Sequence, residues 1–495
     1  GYPGIKSDLL PVSADEARLE LGAHFKLPPP PGAPIRSHSW NADLFAARYR
    51  SEHRYCAALR SWFHYDGRRW RLDPEGLTAR DAMRATAARM FEEATKTGDQ
   101  AMLKWGRDSA MARGVANSLF LAQSILSVDV GDFDADPDVL NVANGLLDLR
   151  TGELRPHRAE DMVTRVTAAA YRPGAQCPLW DAFLLEVLPD PEVRAFFRRL
   201  MGYALLGRQR AKAFAIVYGE HDGGKTTALG ACTVALGWEK PGTAGATSTA
   251  YAVGTELKTF ASGDGGNRPG LVKLMGARLV VVSEVKEELL ESGTLKAWSG
   301  GDLIAATAKY AHPVNFLPDG LVVFVGNKRP MIDWEDLAMW ERAHEVNFPL
   351  TIPEERRVKD YHLRFDPDAV LAWMVAGCLE FLATERLAPP DACRAARLEH
   401  REGQDPLREF WAERVEVDPV GAGWVTSEEL FAEYRVWAED FGVAPRDRLT
   451  QRGLVLLVNA RFGDVIRYTR KGADGGSRSD RRYGWEGLRL TRSEE

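Results

Sequence analysis

Between residues 213 and 236 the sequence combines an apolar, β-branched run, a glycine-rich loop that contains a lysine, and a run with helical spacing. The loop has the pattern Gly-x-x-x-x-Gly-Lys-Thr, from Gly219 to Thr226. Glycines let backbone N–H groups approach phosphate oxygens closely, and the start of a helix adds partial positive charge. Strand, loop and helix in this order are what a phosphate-binding P-loop requires. The segment therefore predicts a nucleoside triphosphate site.

Each position of this loop has an expected role. Lys225 is expected to contact the β- and γ-phosphates, and the Thr226 hydroxyl is expected to bind Mg²⁺. A glycine-rich turn with a chance Lys-Thr pair is the alternative, and the agreement of both flanks disfavours it. The predicted nucleotide-binding residues are Gly219, Glu220, His221, Asp222, Gly223, Gly224, Lys225, Thr226 and Thr227.

Two later apolar runs also end in polar residues that suit nucleotide hydrolysis. The run 277–282 leads to Ser283 and Glu284, where a carboxylate at a sheet edge would serve Mg²⁺ and the attacking water. The run 321–326 leads to Asn327, whose amide could orient water between Glu284 and the γ-phosphate. Either pattern alone is weak, since Asn is common before turns. Their order after the loop favours a hydrolytic site, with Thr226 and Glu284 as the metal-binding pair.

Composition bounds the class of protein. The chain has 495 residues, which is too long for a single hydrophobic core. Its hydrophobic fraction, 45%, is ordinary for a soluble globular protein, and its net charge is −6. The acidic balance excludes a uniformly basic coat but allows a local basic channel. Five scattered cysteines without a CxxC pair predict a reducing compartment and no structural zinc. No apolar run approaches the roughly 20 residues of a membrane span.

The segment from Asn41 to about Leu126 is expected to be mainly helical. Residues 62–70 interrupt it as a hairpin with an Asp66-Gly67 turn, whose aromatic side chains are expected to form a small core, with base stacking as the alternative. The acidic run 132–138 lacks calcium-loop spacing and predicts a solvated loop rather than a metal site. Asn144-Gly145 and Thr151-Gly152 predict two tight turns around a short strand. A helical stretch from Trp180 to Leu206 then leads to the glycine-rich loop.

The C-terminal part predicts three helices followed by two strands, at 407–411, 426–437, 449–462, 465–468 and 483–488. This is a winged-helix order, with basic residues clustered on the hairpin that would form the wing. The alternatives are a protein-docking module or a disordered basic loop. The basic residues are Arg467, Arg470, Lys471, Arg478, Arg481 and Arg482.

Taken together and in order, these motifs resemble the phage and plasmid primase–helicase family, whose motor is a superfamily III helicase of the AAA+ type. The similarity extends from about residue 134 to 349. The motifs that carry it are Asn144–Gly152, Gly202–Gly207, Gly219–Thr226, Arg278–Glu284, Leu295–Asp302 and Val325–Pro330.

The resemblance implies an α/β fold: an AAA+-type P-loop ATPase core with a helical N-terminal and collar region and a C-terminal winged-helix domain. It implies ATP and Mg²⁺ as cofactors and a ring, usually hexameric, that hydrolyses ATP between subunits and pulls single-stranded DNA through its pore. Lys225, Glu284 and Asn327 take catalytic roles, and Arg342 resembles an arginine finger, with a surface salt bridge as the alternative. Ser283 lies where relatives outside this branch of the family often have a second acid, which places more of the metal chemistry on Glu284.

The same resemblance places the DNA contact on a hairpin at 307–316, with Lys309 and His312 holding phosphates and Lys296 in support; a plain surface hairpin is the alternative. We expect these segments: 1–35 flexible lead-in, 36–130 helical domain, 131–208 collar, 209–350 ATPase, 351–404 helical extension and 405–495 winged helix.

The sequence thus predicts an ATP-dependent DNA helicase for replication of a phage, plasmid or integrated element, acting in the bacterial cytoplasm. The alternative is a DNA-binding initiator or scaffold in which ATP binding controls assembly without unwinding. A small-molecule kinase is disfavoured. No metal-binding Asp-x-Asp with a partner His supports primase activity within these residues, although the family often carries such a domain upstream.

Overall fold

A computed structural model describes residues 36–239, 250–261, 269–285, 287–307, 313–418, 423–462, 466–471 and 482–491. The predicted lead-in, 1–35, lies outside these ranges. The chain divides into two compact units, one of residues 1–148 and 153–171 and the other of residues 149–152 and 172–495. The predicted 131–208 segment is therefore divided between the units, while the remaining segment boundaries stay predictions.

The described residues of the first unit form four α-helices and two small sheets. The helices are α1 His38–Tyr49, α2 Leu77–Thr97, α3 Gln100–Ala110 and α4 Ala112–Ile125. The strands are β1 His53–Cys56, β2 Ser61–Tyr65, β3 Trp70–Asp73, β4 Ser127–Val128, β5 Val139–Val142, β6 Gly145–Asp148 and β7 Leu154–Arg155. They form one sheet in the order β3-β2-β1-β4 and another in the order β5-β6-β7.

The predicted hairpin at 62–70 is confirmed as β2 and β3. The Asp66 carboxylate accepts hydrogen bonds from the backbone N–H groups of Arg68 and Arg69, both at 3.0 Å, which fixes the turn. Trp62 and Trp70 are 5% and 1% exposed, so this part of the hairpin serves the core rather than base stacking. The predicted turns on either side of β6 are also found, and Asn144 holds the backbone of Tyr171 through two 2.9 Å hydrogen bonds.

The second unit is built on a parallel sheet. Its strands are β8 Phe214–Gly219, β9 Trp238–Glu239, β10 Ala252–Thr255, β11 Leu279–Val282, β14 Leu321–Val325 and β15 Ala343–Phe348. They lie in the order β15-β8-β14-β11-β10-β9, and every neighbouring pair is parallel. Strands β8, β11 and β14 are continuous apolar runs because both faces of this sheet are covered.

Helices cover the sheet, and a separate hairpin lies beside it. The helices of this part are α5 Pro178–Val187, α6 Pro191–Tyr203, α7 Lys225–Leu236, α8 Pro269–Val272, α9 Ser292–Gly300, α10 Leu337–Arg342, α11 Pro367–Thr384 and α12 Asp391–Gly403. The hairpin strands are β12 Ile304–Thr307 and β13 Pro313–Phe316. One core cluster joins Phe214, Phe324, Phe260 and Trp298 between sheet and helices.

The helical stretch predicted from Trp180 to Leu206 is found, with a break that was not predicted. It is two helices, because Pro189 and Pro191 bracket Asp190, whose carboxylate accepts from the N–H of Glu192 and caps α6.

Helix α11 packs against α6 at a point where a Cβ on Gly202 would lie 2.1 Å from the Cys378 nitrogen. By length and composition alone, α11 is the one described helix that could cross a membrane, with a mean hydropathy of 1.3.

The C-terminal part contains the three helices that the sequence predicts. They are α13 Arg408–Arg414, α14 Ser427–Asp440 and α15 Gln451–Phe462. The strands are β16 Val415–Val417, β17 Trp424–Thr426, β18 Arg467–Lys471, β19 Arg482–Glu486 and β20 Leu488–Leu490, paired as β17-β19-β18 and β16-β20. Thr426 and Glu429 form the capping box of α14. Strands β16, β17 and β20 were not predicted, since each has only three residues.

Candidate nucleotide-binding site

The parallel sheet brings three predicted site segments to one edge. Strands β8, β14 and β11 are consecutive neighbours, with Val325 opposite Val217 and Val282 opposite Phe324. The residues that follow these strands therefore leave the same edge of the sheet, spaced by about 4.8 Å per strand. They are the glycine-rich loop (residues 219–226), Asn327 and Glu284, in that lateral order.

The glycine-rich loop has a backbone that two of its glycines make possible. Gly219 has φ +137°, and a Cβ there would lie 2.2 Å from the Phe348 carbonyl oxygen of the adjacent strand. Gly224 has φ +85°, and a Cβ there would lie 2.7 Å from a methyl group of Val187. Both positions favour glycine because an L side chain would be strained and would also clash. The bend delivers the chain directly into α7 at Lys225.

The start of α7 fits an anion. Gly224 is the N-cap and provides no side-chain hydrogen bond to the first turn, so the first N–H groups of the helix are not capped by a side chain. The Lys225 side chain is 6% exposed, and its Nζ donates to the carbonyl oxygen of Gly219 at 2.9 Å and to that of Glu220. Burial lowers the pKa of Lys225, while Asp222 and Glu220 act in the opposite direction. These groups fit a bound phosphate chain.

The predicted pair of Asn327 and the glycine-rich loop comes together. The Asn327 amide nitrogen lies 2.9 Å from Nε2 and 3.2 Å from Nδ1 of His221, inside the loop. Both side chains are exposed. This contact brings the Asn327 amide beside the glycine-rich loop, as the predicted water-orienting role requires.

Glu284 and Thr226, the predicted metal-binding pair, are both exposed. Glu284 follows β11 after one residue and has φ +58°, an uncommon backbone conformation for a residue with a Cβ. Thr226 lies in the first turn of α7. A hydroxyl and a carboxylate are oxygen ligands of the kind Mg²⁺ takes, so the residues fit the metal.

Arg342 lies at the opposite end of the sheet from its own glycine-rich loop. It ends α10 and is followed at once by β15, whose first residue, Ala343, pairs with Phe214 at the start of β8. The length of β8 therefore separates it from the loop by about 17 Å. Its Nη1 donates to the Ala338 carbonyl oxygen at 2.7 Å. Arg342 cannot reach a phosphate held by the loop of the same chain.

Sequence reasoning missed a cation beside the loop. Arg357 forms an ion pair with Asp222, at 2.9 Å between Nη1 and the carboxylate, and Ile352 N–H donates to the Asp222 carbonyl oxygen at 3.1 Å. The segment after β15 therefore contacts the loop on its outer side. The only available signal was the adjacent Arg356-Arg357 pair, which resembles any solvated basic loop.

The structure explains why two of the quoted motifs belong together. Arg278, 5% exposed, donates from Nη1 to the Leu205 carbonyl oxygen at 2.6 Å. A Cβ on Gly207 would lie 2.6 Å from its guanidinium carbon. Residues 202–207 thus pack directly against the residue that precedes β11, which links these two motifs in the fold.

The structure describes only some of the predicted DNA-binding residues. Lys309, His312, Arg478 and Arg481 lie outside the described residues. The hairpin that carries the first two is found as β12 and β13, whose ends pair Thr307 with Pro313. Lys296, on α9, forms an ion pair with Asp336 at 2.6 Å, so its ammonium group has a protein partner. Arg467, Arg470 and Lys471 lie on β18, and Arg482 is exposed at the start of β19.

The chain is similar to one protein family and to proteins of two viruses. Residues 42–189 match the family described as "D5 N terminal like". The resemblance to the phage and viral primase–helicase family is confirmed. The chain is 22% identical over 342 residues to "Putative helicase L207/L206" of Acanthamoeba polyphaga mimivirus, covering 63% of this chain and 34% of that protein. It is 26% identical over 279 residues to "Putative helicase 022R" of Frog virus 3 (isolate Goorha), covering 52% and 27%.

The matched part of the chain thus spans about a third of the length of those curated proteins, or less. Among solved structures the chain is similar to the apo C-terminal region of NrS-1. The A form gives a TM-score of 0.46 at 12% identity, covering 90% of this chain and 98% of that one. A second apo structure, of NrS-1 residues 305–718, gives a TM-score of 0.47 at 11% identity and covers 92% of this chain and 100% of that one.

Proposed function

We propose that this chain is an ATP-hydrolysing, ring-forming DNA helicase motor of a phage, viral or mobile-element replication system, working in the cytoplasm of the host. The observation that carries the proposal is the sheet edge at which the glycine-rich loop, Asn327 and Glu284 follow three adjacent parallel strands. A fold that gathers a phosphate loop, an amide and a carboxylate on one edge suits phosphoryl transfer to water.

In this proposal the core is an AAA+-type P-loop ATPase of superfamily III. The loop backbone and Lys225 would hold the triphosphate, and Thr226 and Glu284 would hold Mg²⁺, which supplies positive charge that offsets the charge of the phosphates. Glu284 accepts the proton of the attacking water, and Asn327 orients that water. Contact between Asn327 and His221 keeps the amide beside the loop before substrate binds.

Arg342 supports a ring. Because it lies at the far end of the sheet from its own loop, it can act on a phosphate only if another subunit presents that phosphate. A closed cyclic assembly supplies such a neighbour to every copy. We therefore propose Arg342 as an arginine finger acting between subunits, in a ring that is hexameric by resemblance.

DNA is proposed to contact the β12–β13 hairpin and the C-terminal winged-helix domain. The domain presents an aromatic pair that the sequence did not single out: Tyr468 and Tyr483 are 41% and 48% exposed and stack at 6.2 Å. They belong to β18 and β19, which also carry four of the predicted basic positions. Exposed aromatic rings on strands that carry basic residues suit unpaired bases.

The alternative function is a DNA-binding initiator or scaffold in which ATP binding controls assembly. The uncapped helix start and the buried lysine fit both functions, since both bind ATP. The hydrolytic set of Glu284, Asn327 and Arg342 favours the motor. ATP turnover stimulated by single-stranded DNA supports the motor, whereas tight ATP and DNA binding without turnover supports the scaffold.

Lys225→Ala tests nucleotide binding. We expect ATP affinity to fall on the order of 10²-fold, because a charge-assisted hydrogen bond to phosphate contributes up to about 3 kcal/mol. Fluorescent-nucleotide titration measures the change, and DNA-stimulated turnover should disappear. Lys212→Ala is the matched control, since Lys212 is exposed and precedes β8. Wild-type affinity in Lys225→Ala would rule out the glycine-rich loop as the phosphate site.

Tyr468→Ala combined with Tyr483→Ala tests the aromatic pair. Stacking contributes about 1–3 kcal/mol per base, so we expect affinity for an oligothymidine strand to fall by at least about 10-fold. Fluorescence anisotropy without ATP measures it. The double Phe variant keeps both rings and should bind like the wild type. Equal affinity of the Ala and Phe variants would remove the pair from the DNA contact.

A further inference from the structure

A group of ionic side chains lies next to the candidate site, where the loop after β14 meets β8 and β15. Arg329, two residues after Asn327, forms an ion pair with Glu345 of β15 at 3.2 Å. Its guanidinium lies 4.5 Å from the ring centre of Tyr218, at the end of β8, and Nη1 donates to the Ala396 carbonyl oxygen of α12 at 3.1 Å. One side chain thus connects the loop after β14 with β8, β15 and α12.

The carboxylate at the centre of this group is fully enclosed. The Glu345 side chain is 0% exposed, and its second oxygen lies 2.7 Å from Nδ1 of His400 on α12. A buried carboxylate is costly unless it is paired and hydrogen-bonded, and here two donors satisfy it from two different elements. The His400 ring lies edge-on to Trp340 of α10, which fixes its orientation. We call Arg329, Glu345, His400 and Tyr218 the Arg329 network.

Helix α12 makes further contacts from the same face. Arg397 Nη1 lies 3.5 Å from the carbonyl oxygen of Glu341, the residue before Arg342, and Arg401 Nε donates to the Trp334 carbonyl oxygen at 3.1 Å. Residues 396, 397, 400 and 401 recur at helical spacing and so share one side of α12. The helix contacts the loop after Asn327 and the helix that ends in Arg342 at the same time.

The far end of α12 leads into the C-terminal domain. Only residues 404–407 separate it from α13, and Trp334 packs in the core of that domain together with Leu407 and Phe410. A shift of α12 would therefore change contacts both in the C-terminal core and at the loop that carries Asn327.

We infer that Arg329 and the buried Glu345–His400 pair are positioning residues that fix Asn327 relative to the glycine-rich loop and couple it to α12 and the C-terminal domain. The inference rests on the proposed ATP hydrolysis for its kinetic consequence, whereas the mechanical coupling stands on the contacts alone. Arg329 touches no reacting atom. Its role is to keep the Asn327 loop in register with Tyr218, whose strand leads into the phosphate loop.

Arg329→Gln in the full chain tests the role in hydrolysis. We expect the single-turnover rate of ATP hydrolysis to fall on the order of 10²-fold, as for a small misplacement of a catalytic group, while the nucleotide Kd changes by less than about threefold. Glu345→Gln should give a similar loss, and the double variant should be no worse than the poorer single one, because both remove one unit. Arg394→Gln, which removes an exposed guanidinium from the same helix, should behave as wild type.

Hydrogen exchange separates this inference from the proposed function. In Arg329→Gln, amide exchange at 326–330 and at 391–403 should rise together, with cooperative unfolding retained, whether or not the wild type hydrolyses ATP. A wild type without turnover would defeat the helicase proposal and leave the coupling to the exchange result. Unchanged exchange in α12, or a parallel loss of rate, nucleotide affinity and melting temperature, would overturn the inference.

Discussion

Replacing Arg342 with alanine is expected to lower the rate of ATP hydrolysis by about 10³–10⁵-fold. The physical reason is the loss of a positive charge that would stabilise the transition state on a neighbouring subunit's phosphate. The position of Arg342 at the start of β15, about 17 Å along the sheet from its own loop, excludes an effect within one chain. Steady-state turnover measures the rate, and nucleotide affinity should stay near that of the wild type.

Mixing variants decides whether Arg342 acts between subunits. Lys225→Ala subunits keep the guanidinium of Arg342, and Arg342→Ala subunits keep an intact glycine-rich loop. Neither should hydrolyse ATP alone, but mixed assemblies contain interfaces that combine the two intact halves, so turnover should reappear. Arg364→Ala, at an exposed arginine, is the matched control. Unchanged turnover in Arg342→Ala, or no recovery on mixing, would exclude the finger.

Glu284→Gln is expected to lower hydrolysis by about 10²–10⁴-fold, which is the usual contribution of a positioned general base. The amide is nearly isosteric with the carboxylate but cannot accept the proton of water. Nucleotide binding should persist, because the glycine-rich loop is unchanged, so the variant should remain in its ATP-bound assembly. Rapid-quench hydrolysis and nucleotide titration separate the two effects.

Glu287→Gln is the matched control for that substitution. Glu287 lies three residues further along, is 63% exposed and pairs with Lys328 on the surface, so its loss should change turnover by less than about twofold. If Glu284→Gln and Glu287→Gln had equal, small effects, the carboxylate at the end of β11 would not be the base, and the scaffold alternative would gain support.

Several elements followed from local patterns. The strand, loop and helix around residues 213–236 were predictable because each depends on neighbouring residues alone. The apolar run forms the strand, and the two glycines allow the loop backbone that leads into the helix. The capping box at Thr426 was predictable for the same reason. The break at Asp190 was missed although its prolines were visible, because apolar periodicity on both sides resembled one continuous helix.

The Arg329 network could not be predicted. Its members are separated by more than 180 residues along the chain, from Tyr218 to His400, and each taken alone resembles an ordinary polar or aromatic residue. Glu345 in particular lies in a strand that mixes polar and apolar residues, β15, where a charge suggests an edge exposed to water. Only the packing of α12 against β15 converts that position into a buried carboxylate with two partners.

The sequence by itself determined the order of chemical groups, namely the glycine-rich loop, then Glu284, Asn327 and Arg342, because those residue types occur at turns and strand ends that local physics specifies. The tertiary structure alone decided their lateral arrangement. Parallel pairing places β14 between β8 and β11, so Asn327 lies beside His221, and it sends Arg342 to the other end of the sheet. Strand order depends on long-range packing energies, which no local stretch of sequence contains.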